Sequence, residues 1–406
     1  MTRKIRVLVL TSSFPRYKTD WWQQAIYNFY KYLDKKKFKV TVIAPSAPGA
    51  KSYENFDGVE IKRFTYFFPS NLQRLTTGEG VLYSGKRGLL NKFQILTFVC
   101  AEMLLTSVTL IKGNYDVIHA QWIFPQGLIA VIFKFLFRKP VVVTGHGVDI
   151  FGLNKINFVK AFILKYSNAC TVNSKATFEA ANRIYPYAKI KIIPPGVDFT
   201  IFKKDKYNTK WRKQFGNQPK IILAVGRFIK WKGFEYIIKA LPEVLTKFPN
   251  AKVVLLGSGP EEKNLKRLVE KLNLNNNVFF LGHTDPDKLS QIFASSDMLV
   301  SSSITLVSTG EKEGLGNVIL EALSSGVPVI ASRSGGIVDI IDGHSTGLLF
   351  EERNYRELAS KIMYLLSEKK VYKKLSVEGL KFVNNKYDWK KICKELGNLY
   401  EEIIKS

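Results

Sequence analysis

Residues 313–323 read EGLGNVILEAL, with Glu313 and Glu321 eight positions apart, Gly314 and Gly316 between them, and a helix-forming run behind. Glycine lets a backbone turn sharply and come close to a ligand. The spacing predicts a helix from Asn317 onward, with Gly316 or Asn317 as its cap. Amides at that end, such as those of Val318 and Ile319, would be unpaired and would favour a phosphate. Glu313 would sit in the loop before the helix and Glu321 about one turn inside it. A rise of ~1.5 Å per residue keeps both within reach of one nucleotide. Phosphates on the amides and hydroxyls on the acids would suit a sugar nucleotide. Two acids eight apart also occur as plain solvated charge, so the neighbouring sequence has to decide.

Outward from this stretch, short β-branched runs alternate with helical ones. On the C-terminal side of the chain the strands read IILAVGRF (221–228), KVVLLGSG (252–259), NVFFLGH (277–283), DMLVSSS (297–303), VPVIAS (327–332) and GLLF (347–350). Nearer the N-terminus they read IRVLVL (5–10), VTVIAP (40–45), DVIHA (116–120), PVVVTGH (140–146) and ACTVNS (169–174). Such alternation implies parallel, doubly wound α/β sheets. The 406 residues suit two Rossmann-like domains, over 1–198 and 199–385, with a charged stretch Phe202–Lys220 at the join. Open parallel sheets bind ligands outside the carboxyl ends of their strands, so a cleft between two such sheets is the expected site. Residues 386–406 hold a last helix, Tyr387–Ile404, apolar at 389, 392, 396, 399 and 403.

Hydrophobic content of 46% and aromatic content of 13% supply ample core and exclude a disordered chain. The formal charge is +27; the first 200 residues carry 28 Lys and Arg against 11 Asp and Glu, and the remaining 206 carry 33 against 23. Basic charge suits anionic lipid, nucleic acid or phosphorylated ligands. No nucleic-acid motif accompanies it, so nucleic acid is not an expected partner. Cys100, Cys170 and Cys393 show neither metal spacing nor a disulfide framework and read as reduced thiols of a cytoplasmic protein. Phe93–Ile111 is long and apolar but carries Glu102, Thr and Ser; Leu128–Phe137 is short and interrupted by Lys134. Neither gives the ~20 clean residues needed to span a bilayer, and both read as core helices, with shallow contact by an exposed aromatic face as the alternative.

GRFIKWKG (226–233) places Arg227 and Lys232 around one strand-end turn, where two cations could neutralise a diphosphate; alone it reads as an exposed basic turn. GSGP (257–260) reads as a tight turn before a helix. Asp285-Pro286-Asp287 is formally a D-x-D pair but reads as a helix start, so no metal site is expected. Three of the four histidines, His119, His146 and His283, close predicted strands.

The glutamate pair, the Arg227–Lys232 turn ahead of it, and TGHGVD (144–149) together resemble the retaining family 4 glycosyltransferases, a GT-B group that includes glycogen-synthase-like enzymes. The resemblance covers most of the chain, strongest over 221–350 and weakest over 50–110. It implies two Rossmann-like domains facing a central cleft, with the last helix crossing back onto the N-terminal domain. It implies that Arg227 and Lys232 hold donor phosphates, that Gly314, Leu315, Gly316, Asn317 and Val318 form the anion cradle, and that Glu313 binds the donor sugar and Glu321 the ribose. His146 would touch the sugar, His283 would lie near the base, and His119 would belong to the acceptor side. The donor would be a UDP- or GDP-sugar, with no cofactor or metal, and the acceptor a glycan or lipid-linked sugar in envelope polysaccharide or glycolipid synthesis. Peripheral contact with an anionic membrane at the inner face of the cell would fit the basic N-terminal half. A GT-B nucleotide-sugar epimerase and a basic lipid- or nucleic-acid-binding protein are the rival readings. One departure stands out: Ser12–Gln24, SSFPRYKTDWWQQ, has no glycine where the family carries a pair. Direct phosphate contact there is in doubt, and Trp21 and Trp22 read either as a stacking surface for a sugar or lipid on the acceptor side or as ordinary core.

Overall fold

The structure, a computed structural model, describes residues 3–18, 20, 24–76 and 88–405. The expectation for Trp21 and Trp22 lies outside them. Two compact units form, one from Met1–Asn173, Thr177–Pro195 and Trp389–Ser406, the other from Ser174–Ala176 and Gly196–Asp388.

The first unit holds β1 (Ile5–Thr11), α1 (Gln24–Lys31), β2 (Phe38–Pro45), β3 (Tyr53–Phe56), β4 (Val59–Phe64), α2 (Leu89–Lys112), β5 (Val117–Gln121), α3 (Leu128–Phe137), β6 (Val141–Gly145), α4 (Val148–Phe151), α5 (Asn157–Tyr166), β7 (Ala169–Val172), α6 (Lys175–Ile184) and β8 (Ile190–Ile192). Its sheet runs β3-β4-β2-β1-β5-β6-β7-β8, parallel except for the β3–β4 hairpin. Val7–Leu10 of β1 are wholly buried, as a parallel strand covered on both faces requires. The chain lays β2 and β4 on one side of β1 and β5 on the other, so the strand order reverses between β1 and β5.

The second unit holds α7 (Thr209–Lys213), β9 (Lys220–Val225), α8 (Phe234–Lys247), β10 (Ala251–Leu256), α9 (Glu262–Lys271), β11 (Val278–Phe280), α10 (Pro286–Ala294), β12 (Met298–Ser301), α11 (Asn317–Ser324), β13 (Val329–Ser332), β14 (Leu348–Phe350), α12 (Tyr355–Ser367) and α13 (Lys369–Lys386). All six strands are parallel, in the order β11-β10-β9-β12-β13-β14, with the reversal between β9 and β12. Cores lie on both faces: Ile237, Leu241 and Ile362 pack on one, Ile319, Leu320 and Ile337 on the other.

The last helix, α14 (Trp389–Lys405), belongs to the first unit. Its Trp389, Ile392, Leu396, Leu399 and Ile403 are buried against α1 and the β1–β2 side of the sheet. Lys37 Nζ adds an ion pair to Glu401 at 2.9 Å.

Two expectations need correction. The first sheet has eight strands rather than five: β3, β4 and β8 are short, charged or exposed, and lack the apolar run that marks a buried strand. The segment Phe93–Ile111 is not a core helix. Within α2 the side buried against the unit is mostly polar (Asn91, Gln94, Glu102, Thr106 and Thr109), and the apolar side faces outward.

Candidate active site

In the second unit the strand-order reversal leaves the carboxyl ends of β9 and β12 side by side, the place where an open parallel sheet binds ligands. The loop after β9 carries Arg227 and Lys232. Lys232 Nζ lies 2.6 Å from Glu313 Oε2 and 4.6 Å from the Trp231 ring centroid. Ser303, just past β12, donates to the same Glu313 oxygen at 2.9 Å. Glu313 is buried, so the cation and the hydroxyl are what make an ionised carboxylate tolerable there. Arg227 is half-buried and has no side-chain partner among the described residues.

Glu313 opens the loop that leads through Gly314, Leu315 and Gly316 into α11. Gly316 is the N-cap, at φ +95°, a left-handed conformation that an L side chain rarely adopts. The amides of Asn317 and Val318 have no partner among the described residues. The Ile319 amide, expected to be free, closes on the Gly316 carbonyl at 2.9 Å. The loop is held from below by a pair of glycines, Gly335 and Gly336. Gly336 N donates to Glu313 O at 3.0 Å. A Cβ at Gly335 would come within 2.0 Å of Glu313 O, and one at Gly336 within 2.0 Å of Gly314 O.

Glu321 sits one turn into α11, with no partner for its carboxyl group among the described residues. Burial alone pushes its pKa up to about 8, which favours the protonated, hydrogen-bond-donating form near neutral pH. His283 is exposed, three residues beyond β11, and its Nε2 lies 2.7 Å from Ser258 Oγ. The loops after β9, β10 and β11 are tied in series through Phe228 N to Ser258 O (2.8 Å) and Gly257 N to Gly282 O (2.7 Å), so His283 shares one rim with Arg227. Asp285 caps α10, accepting from Lys288 N, with Pro286 at the first turn. Among the described residues no cluster could hold a metal ion.

In the first unit His146 follows β6. Its backbone N donates to Asp149 Oδ1 at 2.9 Å, and Asp149 Oδ2 accepts from Ile123 N at 2.8 Å, so one buried carboxylate ties the β5 and β6 strand-end loops together. His146 Nε2 donates to Gln121 Oε1 at 2.7 Å, and its ring lies 4.6 Å from that of Trp122. Gln121 Nε2 donates in turn to Tyr30 Oη at 2.5 Å. His119 lies inside β5 rather than at its end and is buried. Two tyrosine hydroxyls, Tyr400 (2.5 Å) and Tyr30 (3.1 Å), meet its Nδ1, and Thr144 Oγ1 meets Nε2 at 2.6 Å. Burial lowers its pKa to about 3, with His146 adding to the shift. All three partners are hydroxyls, which can donate or accept, so the neutral ring is satisfied at both nitrogens. His119 therefore braces the strand ends and α14, and an acceptor-facing role does not fit its burial. Burial also lowers the pKa of His146, opposed by Asp149. Sequence reading missed Ser303, Gln121, Tyr30 and Tyr400, none of which lies in a recognisable spacing. Asp149 was within the quoted TGHGVD, where its strand-end position was the available signal.

The glycosyltransferase family 4 description matches residues 23–201, and that of the glycosyl transferases group 1 matches residues 205–382. An uncharacterized glycosyltransferase of Methanocaldococcus jannaschii is 30% identical over 322 residues, covering 75% of this chain and 80% of its own. The GDP-mannose-dependent alpha-(1-6)-phosphatidylinositol monomannoside mannosyltransferase of Mycobacterium tuberculosis is 25% identical over 281 residues, 68% of this chain and 72% of its own. Among solved structures, sucrose-phosphate synthase from Thermosynechococcus elongatus aligns over 98% of this chain and 99% of its own, with a TM-score of 0.79 at 21% identity, a likeness of fold. Two matched halves, two reversed parallel sheets and the carboxylate–cation pair at a strand-end crevice agree: the chain belongs to the family 4, group 1 glycosyltransferases of the GT-B fold.

Proposed function

We propose that the protein is a retaining glycosyltransferase that moves a hexose or N-acetylhexosamine from a UDP- or GDP-sugar to a glycan or lipid-linked acceptor, in envelope polysaccharide or glycolipid synthesis. The observation that carries this reading is the Lys232–Glu313 pair, 2.6 Å apart at the β9/β12 reversal, in the loop of Arg227 and ahead of two helix amides, all three without a partner among the described residues. When the C1–O bond breaks, its electron pair stays on the β-phosphate oxygen. Arg227, Lys232 and the Asn317 and Val318 amides stabilise that charge without a metal ion. Glu313 hydrogen-bonds hydroxyls of the donor sugar through the oxygen that Lys232 and Ser303 leave free. Glu321, protonated, holds the ribose, and His283 lies near the base. His146 positions the sugar ring. The acceptor hydroxyl attacks from the face the nucleotide leaves and passes its proton to the departing phosphate oxygen, so the anomeric configuration is kept.

The relative named as a phosphatidylinositol monomannoside mannosyltransferase supports a lipid-linked acceptor, and the basic N-terminal half supports peripheral work at the inner face of the membrane. A thermal-shift panel of nucleotide sugars identifies the donor, and NMR of the first-formed product, with and without EDTA, reads the anomer and the metal requirement. No stabilisation by any nucleotide sugar, or a free epimerised sugar nucleotide as product, would overturn the proposal.

A further inference from the structure

The 24-residue α2 is turned inside out. Leu89, Phe93, Leu96, Leu104, Val108 and Ile111 recur at intervals of three, four or eight residues and form one stripe along it. This stripe is exposed: Leu96 is 61%, Leu104 68% and Ile111 73% open to solvent. The opposite stripe is buried and mostly polar. Gln94 Nε2 donates to Leu72 O at 2.8 Å and Gln94 Oε1 accepts from Arg74 N at 3.1 Å. Gln126 Nε2 donates to Glu102 Oε2 at 3.0 Å, while Glu102 Oε1, Gln126 Oε1, Thr106 Oγ1 and Thr109 Oγ1 make no hydrogen bond among the described residues. A helix rotated by half a turn would bury the leucines and solvate these groups. A surface helix of a globular protein does the reverse of what α2 does. The orientation is costly on both sides unless the outward stripe meets a non-aqueous partner.

The neighbouring surface extends the stripe. α3 packs against both α2 and α5. Exposed Phe135 of α3 lies 5.3 Å from the Tyr166 ring, and exposed Phe162 of α5 lies 4.8 Å from it. The sole carboxylate on α2, α3 and α5 is the buried Glu102, while Lys92, Lys112 and Lys165 are exposed on the same helices. Two copies meeting through this face would bring lysines together. A layer of anionic headgroups over acyl chains complements both the cations and the apolar stripe. α2 is the one helix among the described residues long and apolar enough to cross a membrane. Its polar stripe, however, is bonded into the unit, and a spanning helix would need to release it.

We infer that the outward face of α2, continued by the exposed aromatics of α3 and α5, docks flat on an anionic lipid surface. The acceptor is accordingly lipid-anchored. This rests on the glycosyltransferase reading and narrows its acceptor class. The Glu102–Gln126 bond ties the docked helix to the loop that follows β5, the strand of Gln121 and His119.

The test is co-sedimentation of the full chain with phosphatidylglycerol/phosphatidylcholine vesicles against phosphatidylcholine alone, at low and high salt. Wild type should pellet with the anionic vesicles. Leu96→Glu/Leu104→Glu should reduce partitioning ~10-fold or more, with an unchanged thermal midpoint because both positions are open. Lys92→Ser and Lys112→Ser should each weaken anionic binding ~5-fold and leave the salt-resistant part. Equal binding by the double glutamate variant, no binding by wild type, or a wild-type dimer that this variant dissociates would each overturn the inference. Donor binding, followed separately by thermal shift, distinguishes the two failures. Donor binding without vesicle binding sinks the surface alone; vesicle binding without any donor sinks the enzyme reading alone.

Discussion

Lys232 Nζ and Glu313 Oε2 lie 2.6 Å apart with both side chains largely buried, and Arg227, five residues earlier in the same loop, has no partner among the described residues. The two cations thus have different stability roles although one catalytic role is proposed for both. Removing Lys232 leaves a buried carboxylate with only Ser303 for support, a cost of roughly 2 kcal/mol or more. Lys232→Ala should lower both turnover, by ~10²-fold, and the urea midpoint. Lys232→Ala/Glu313→Ala should recover much of the stability and none of the activity. A double variant no more stable than Lys232→Ala would show that the pair has no structural weight.

Arg227→Ala should cost a similar ~10²-fold in turnover with less than about 0.5 kcal/mol in stability, because no hydrogen bond or ion pair among the described residues is broken. Nucleoside diphosphate affinity should fall with it, since the guanidinium is assigned to ground-state phosphate as well. An Arg227→Ala enzyme with wild-type kinetics on its true donor would remove Arg227 from the phosphate site.

Glu321 titrates near 8 in the folded protein because burial disfavours its charge, against about 4.5 in an unfolded chain. Between those values the folded state keeps a proton the unfolded state has released, so stability falls as pH rises through the window. Glu102, also raised to about 8 by burial, adds a slope of the same sign. Denaturant unfolding of Glu321→Gln from pH 5 to 8.5 should show a shallower decline than wild type, and Glu102→Gln/Glu321→Gln a shallower one still. If the amide mimics the neutral acid on the ribose, Glu321→Gln should hold donor affinity within a few-fold at pH 7. Glu321→Ala should lose ~10-fold.

The second sheet was readable strand for strand because each of its six strands is an apolar run, five of them opening into a glycine or serine loop and the sixth, LLF, following Gly347. β3 and β4 were not, since a hairpin of YENF and VEIKRF has Glu54, Asn55, Glu60, Lys62 and Arg63 breaking its apolar run and pairs antiparallel inside a parallel pattern. α2 misled in the other direction: an apolar helix is read as buried, and nothing in local sequence says which stripe faces in. At the site, the charged and cap residues were legible by type and spacing. Ser303 and Gln121 were not, because each acts through hydrogen bonds to residues at least 10 positions away in the chain. Gly335 and Gly336 were visible as glycines, but their reason, backbone contact with residues 313 and 314, exists only in three dimensions.

That contact makes a prediction of its own. Gly336→Ala places a Cβ within 2.0 Å of Gly314 O, and Gly335→Ala places one equally near Glu313 O at a left-handed φ of +51°. Backbone cannot yield as a flexible side chain would, so the loop holding Glu313 must shift. A displacement of about 1 Å in a positioning loop is enough for ~10²-fold in rate. Either variant should lose turnover on that scale and weaken donor binding, with far-UV circular dichroism unchanged. Normal donor affinity in both would show that the glycines are dispensable to the cradle.

The chain His146–Gln121–Tyr30 joins the buried His119–Tyr400 contact and so links a candidate catalytic histidine to the last helix within one unit. Gln121 Oε1 can only accept, which fixes the proton of His146 on Nε2. Nδ1, with no partner among the described residues, then carries a lone pair suited to a sugar hydroxyl. Gln121→Leu removes the acceptor and frees the tautomer. Turnover should fall ~10-fold, about the worth of one oriented hydrogen bond, with donor KM little changed. Gln121→Glu should instead raise the pKa of His146 by placing a carboxylate on Nε2. The enzyme would then lose activity as pH falls toward 6 and regain it above neutrality, a profile that a purely structural role for Gln121 would not produce. Tyr400→Phe should have a milder effect on rate, because Tyr30 still reaches His119 Nδ1, but should loosen α14, read as earlier proteolytic release of the C-terminus. Unaltered pH profiles in both Gln121 variants would reduce the network to packing and leave the orientation of His146 to Asp149 alone.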